Sequence, residues 1–285
     1  MKTVRTILTF ILAPLLAAAT LLSLFSGIMR FVVLNPDYYK KHLADERYCE
    51  EMQEQLNDDL GYIAILYGLP ESAMENFLSH DEIKSYTAEY IDAVFAREDA
   101  TAELTAVPYP NNRFVNYILS NTDNSYEAAV DFGDDCAEAV QSNLWAVNQP
   151  LLLNSVTFLK ESRIIVELTA LFTLLLILTL GLSVLLFCLY IGNIRGGLTA
   201  VFGSTFCGSV LILAPLLAFG LKGYAERLNI ALSAYRTQLT GIINSILEGG
   251  LWIAGLVAGI SLVVLVFCAF TKKKRKKKKK TLDNG

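Results

Sequence analysis

The chain has 285 residues, 53% of them hydrophobic, and 24 Lys+Arg against 28 Asp+Glu leave a formal charge of −4. A mean hydropathy of +0.42 with 18% charged residues is too apolar for an ordinary soluble domain and too polar for a chain wholly inside lipid; it excludes disorder, a collagen-like repeat and a disulfide-dense miniprotein as overall descriptions. The near-neutral charge averages two sorted segments, because residues 35–162 hold 24 acids and 7 bases, whereas the last fourteen hold nine bases and one acid.

A helix crossing a hydrocarbon core of roughly 30 Å needs about 20 apolar residues, and only closed backbone hydrogen bonding survives there. After six N-terminal residues the first such run spans 7–29, between Arg5 and Arg30. Ala17, Ala18 and Ala19 resemble a secretory cleavage site, but apolar sequence continues ten residues further, so a retained anchor is expected.

Residues 30–163 then form an acidic segment long enough for one small domain. Tyr48, Met52, Leu56, Leu60, Ile63 and Tyr67 recur at helical spacing up to Gly68 and Pro70. Ser79 and Glu82 read as a capping box opening a second helix with the stripe Ile83, Tyr86, Tyr90 and Val94. Beyond Pro108, Pro110, Asn111 and Asn112, helical sequence runs through Tyr126, Val130 and Val140 to Trp145, until Pro150. Cys49 and Cys136 are the only cysteines outside the apolar runs and form a candidate disulfide, the alternative being two buried thiols. A bridge closing so long a loop contributes about 4 to 5 kcal/mol in the chain-entropy account.

The second helix occupies 164–191, its apolar run starting at Leu168. A turn at 192–197 leads to the third, 198–221. Residues 222–250 follow, where Leu228, Leu232, Tyr235, Leu239, Ile242 and Ile246 make a heptad-like stripe with Arg227, Arg236, Gln238 and Asn244 off it. This amphipathic helix is expected to pack on the acidic domain. The fourth span is 251–270, where Gly255 and Gly259 form a GxxxG suited to close helix packing, within the bundle in the first instance and between copies otherwise. Lys272, Lys273, Lys274, Arg275, Lys276, Lys277, Lys278, Lys279 and Lys280 open the tail, 271–285, and suit anionic lipid. The tail lacks interleaved aromatics and has little reach, which argues against nucleic acid as a partner.

Basic flanks are retained on the cytoplasmic side. With both termini inside, the inner segments hold twelve bases against Asp283, so the acidic segment and 222–250 are expected outside a plasma membrane. The fold expected is all-α, with four transmembrane helices and an extracytoplasmic helical domain.

Signals of chemistry are sparse. His42 and His80 are in no metal spacing, and no CxxC, GxSxG, Walker or dinucleotide pattern occurs. The doublets Asp58–Asp59, Asp81–Glu82, Glu98–Asp99 and Asp134–Asp135 read as a solvated acidic face, since adjacent helical residues diverge. Glu167, four residues after Arg163, reads as an interfacial ion pair rather than a proton site. Pro14 and Pro215 share the sequence ILAPLLA, but their different distances from Arg5 and Arg195 put them at different depths and weigh against duplication. No cofactor or metal is expected.

The stretch Phe31-Val-Val-Leu-Asn-Pro-Asp-Tyr-Tyr-Lys-Lys, leaving the first span and followed by a helical segment and three more spans, resembles uncharacterised bacterial four-span integral membrane proteins. The resemblance implies residence in a bacterial plasma membrane and no particular activity. The reading expected is therefore a non-enzymatic membrane protein whose external domain binds a partner protein or envelope component. A small transporter or channel, or a membrane-bound enzyme, are the alternatives.

Overall fold

The computed structural model describes residues 2–44, 46–96, 111–148, 164–230 and 233–282, and every regular element among them is helical. Four helices are long and apolar enough to cross a membrane, at Thr3–Val33, Val166–Cys188, Ile194–Leu221 and Ser233–Thr271, as befits a membrane protein. The chain divides into two compact units. The apolar unit comprises Met1–Asn35, Ile165–Tyr224 and Ile246–Gly285; the acidic unit comprises Pro36–Ile164 and Ala225–Ser245.

The acidic unit contains α2 (Pro36–Lys40), α3 (Glu46–Leu66), α4 (His80–Ala96), α5 (Asn112–Asn121) and α6 (Tyr126–Asn148). In α3, Tyr48, Met52, Leu56, Leu60 and Ala64 fall at successive steps of four and are all buried. They meet Met74, Ile83, Phe114, Ile118, Phe132 and Val140 in one cluster. Each such large side chain withdrawn from water contributes about 1.5 to 3 kcal/mol. Helix α4 starts as the capping box requires: the Ser79 amide donates to Glu82 Oε2 at 2.8 Å and the Glu82 amide donates to Ser79 Oγ at 3.3 Å. Between α5 and α6 the approach is close, since a Cβ at Gly133 would stand 2.5 Å from Val115 Cγ2.

The apolar unit is built from α1 (Lys2–Ile28, extended by a π-helical turn Met29–Val33), α7 (Ile164–Cys188), α8 (Ile194–Leu221) and most of α9 (Ser233–Leu282). Gly208 brings α8 onto α1, a Cβ there falling 2.5 Å from the Ala17 carbonyl oxygen. Phe172 of α7 lies against Gly27 and stacks edge-on to Phe31 at 5.2 Å. Gly250 of α9 faces Leu216 and Ile28. At one end Thr9 Oγ1 and the Tyr190 hydroxyl are 3.2 Å apart, and Arg195 donates to the Cys268 carbonyl. These contacts gather the start of α1, the α7–α8 turn and the Cys268 region of α9. At the other end Arg30 donates to Thr169 Oγ1 at 3.0 Å. Buried hydroxyls inside the helices bond their own backbone, Thr20 to the Leu16 carbonyl and Ser209 to that of Thr205, both at 2.8 Å.

Several expectations are corrected. Residues from Ser233 through the expected fourth span lie in one helix, α9, which runs unbroken through Gly249 and Gly250, since glycine costs a helix only about 1 kcal/mol against alanine; its part up to Ser245 groups with the acidic unit and the rest with the apolar unit. The buried face of its first turns is Ala234, Gln238 and Ile242, with Tyr235 and Leu239 only partly buried, so the stripe is rotated by about one residue. Ala234 is what joins the core of the acidic unit. Leu232 lies outside the described residues. In α6 the stripe is Ala129, Phe132, Cys136 and Val140, and Tyr126 is exposed. In α4 the buried positions are Ile83, Thr87, Tyr90 and Ile91, with Tyr86 partly exposed. Helices α1 and α8 continue through Pro14 and Pro215.

Candidate functional site

One carboxylate doublet and one member each of two others are drawn into the scaffold of the acidic unit rather than toward one another. Asp59 accepts from Asn143 Nδ2 at 2.6 Å, and Asn143 in turn accepts from Gln55, which ties α6 to α3. Asp134 accepts from Asn111 at 2.6 Å and Asp135 from the Tyr67 hydroxyl at 2.7 Å. Burial, reinforced by the hydrogen bond to Asp135, pushes Tyr67 up to about 12. Glu82 caps α4 and pairs with Arg113, which also donates to the Phe77 carbonyl at 2.8 Å and lies over the Phe77 ring. Burial raises the Glu82 carboxyl, but the Ser79 amide and hydroxyl together with Arg113 outweigh it, and the net shift is downward. His80 bonds Gln53 at 2.7 Å across α4 and α3. Among the described residues no three His, Cys, Asp or Glu side chains converge as a metal site would need. Glu98, Asp99, Arg163 and the side chain of His42 lie outside the described residues.

Cys49 and Cys136 share the buried cluster as thiols with no bridge between them in this structure. Burial, with Asp135 adding to it, pushes the Cys136 thiol up to about 12, so it carries no thiolate at neutral pH. Among the described residues nothing beyond the helix's own backbone lies within 4 Å of a Cβ built at Gly255 or Gly259, whereas Gly208 stands in close contact with α1. The lysine run continues the α9 backbone, and its side chains lie outside the described part.

The surface feature that remains lies on α3. Tyr62, Ile65 and Leu66 are 65%, 51% and 64% exposed, on the same side of the helix as the exposed Glu54, Asp58 and Asp59 one to three turns earlier. The C-terminal third of α3 therefore has two apolar faces, one in the core through Leu60 and Ala64 and one open. Sequence reasoning missed this second face. Its signal was present, because the three residues fall off the stripe that ends in Leu60, Ile63 and Tyr67. Such a face inside an acidic surface suits contact with apolar side chains flanked by positive charge.

Comparison of the chain with protein-family models, with curated proteins and with solved structures returned no match.

Proposed function

We propose that the acidic unit is the extracytoplasmic recognition domain of a membrane-anchored, non-enzymatic protein, and that the open α3 face docks a protein partner through an apolar segment flanked by Lys or Arg. The observation that carries this reading is the grouping of Tyr62, Ile65 and Leu66 beside Glu54, Asp58 and Asp59. Large aromatic and aliphatic side chains at the centre of a patch are the usual source of binding energy, while rim charges select the partner and speed its approach. The 24 acids against 7 bases in residues 35–162 extend the same field around the patch. Orientation follows from the basic flanks of the spans, which hold the termini and the α7–α8 turn inside.

The test is photo-crosslinking in intact cells, with a photoreactive residue placed at positions 62, 65 and 66 of the full chain and, as control, at exposed Ser120. One adduct shared by the three positions and absent at Ser120, weakened when Glu54 and Asp58 are replaced by Lys, supports the reading. The captured protein, purified, should then bind the full chain in nanodiscs at least tenfold more weakly after Leu66→Asp. Adducts no different from those at Ser120 would sink it.

A further inference from the structure

We propose that the recess around Arg195, at the end of the apolar unit where α1, the α7–α8 turn and α9 meet, binds a phosphate group, either that of an anionic lipid headgroup or free phosphate. The recess measures about 730 Å³ and is lined by Thr9, Tyr190, Asn193, Arg195, Thr199 and Cys268, among others. A second recess of about 750 Å³ shares Asn193, Arg195 and Cys268, so the guanidinium forms part of the wall of both.

Charge makes the recess selective. Residues 1–34, 168–221 and 249–282 contain no Asp or Glu. Arg195 is half-buried and donates to the Cys268 carbonyl, a contact that positions the side chain without pairing its charge with a carboxylate among the described residues. A guanidinium has five N–H donors in a planar fork that matches two phosphate oxygens. Around it stand the hydroxyls of Thr9 and Tyr190, the former 3.2 Å from the latter, and that of Thr199. A second cation, Arg5, sits 5.1 Å from the centroid of the Tyr190 ring. The Thr199 hydroxyl donates to the Arg195 carbonyl at 2.9 Å, but the two cations and the hydroxyl hydrogen that the Thr9–Tyr190 pair keeps beyond its mutual bond form a donor set for an oxyanion. Basic recesses between helices at a membrane boundary accept anionic headgroups for the same reason.

The lysine tail also attracts anions, so the experiment must separate the two. The full chain in neutral detergent is titrated with short-chain phosphatidic acid and with the matching diacylglycerol, which lacks the phosphate. Bound lipid is read by native mass spectrometry. Sodium phosphate is tested by thermal shift and as a competitor.

Phosphatidic acid is expected to bind at least tenfold more tightly than diacylglycerol. Arg195→Gln should weaken it about tenfold, Thr9→Val and Tyr190→Phe severalfold, and replacement of Lys276–Lys280 by glutamine less than threefold. Arg195→Lys, which keeps the charge, should retain more affinity than Arg195→Gln, and equal helicity by circular dichroism guards against misfolding. Phosphate that competes and raises the melting temperature in an Arg195-dependent way assigns the site to the free anion, whereas lipid binding without it assigns the site to a headgroup. An Arg195→Gln variant within twofold of the unaltered chain for both ligands, or binding abolished by the tail replacement alone, overturns the proposal.

Discussion

Glu82 shows how one side chain joins local and tertiary structure. It closes the capping box with Ser79 and anchors Arg113 of α5, and these contacts hold its carboxyl below the ordinary value of 4.5. A depressed folded-state value means stability that is present above the unfolded range, about 4.3, and is lost as the pH falls through the folded value. Glu82→Gln keeps the cap geometry and removes the charge. The variant should melt lower than the unaltered chain at pH 7, with the gap narrowing below about pH 4; a gap constant from pH 3 to 7 would contradict the assignment. The cysteines supply a second prediction at this scale. As buried, unbridged thiols, Cys49 and Cys136 should resist maleimide in the native chain and both react after unfolding without reductant. Peptide mapping that finds them labelled only after reduction would establish a bridge instead.

At the scale of elements, glycine decides where helices touch, and position matters more than motif. Gly208 sets α8 against the α1 backbone, which cannot yield as a flexible side chain does. Gly208→Leu should therefore destabilise the apolar unit by about 1 to 3 kcal/mol or more, whereas Gly255→Leu and Gly259→Leu should leave it near the unaltered value. Unfolding in detergent titrated with dodecyl sulfate reads the difference, and equal losses at Gly208 and Gly255 would refute it. The GxxxG spacing shows that a helix has a groove, but not which neighbour fills it. The last helix makes a similar point. Its apolar periodicity is plain from Tyr235 to Ile246, yet the face buried is Ala234, Gln238 and Ile242, with Ala234 in the core cluster and Tyr235 packed against it.

For the whole molecule, the contacts Thr9–Tyr190 and Arg195–Cys268 bring both terminal regions of the apolar unit to one end with the α7–α8 turn. In the proposed orientation, argued from the basic flanks, that end faces the inside of the cell. Cysteines introduced at Ser120 and at Gly192, in a chain otherwise free of exposed cysteine, should therefore differ. Ser120→Cys is expected to react with an impermeant maleimide on intact cells, and Gly192→Cys only after permeabilisation. The reverse pattern would invert the topology.

The four spans, the capping box at Ser79 and the buried stripe of α3 were all legible from sequence. Each depends on residues within a few turns of one another: a run of about 20 apolar side chains dictates a lipid-crossing helix whatever surrounds it. The sorting of acids into residues 35–162 and of bases into the tail is equally a property of the chain alone. Tertiary structure alone decided that Gly208 makes a close contact with α1, that Cys49 and Cys136 share one core, that Tyr62, Ile65 and Leu66 are left uncovered, and that Arg195 lines a recess with no carboxylate among its described lining residues. Those outcomes depend on which element fills the space beside a given face, and periodicity within one helix carries no information about its neighbour.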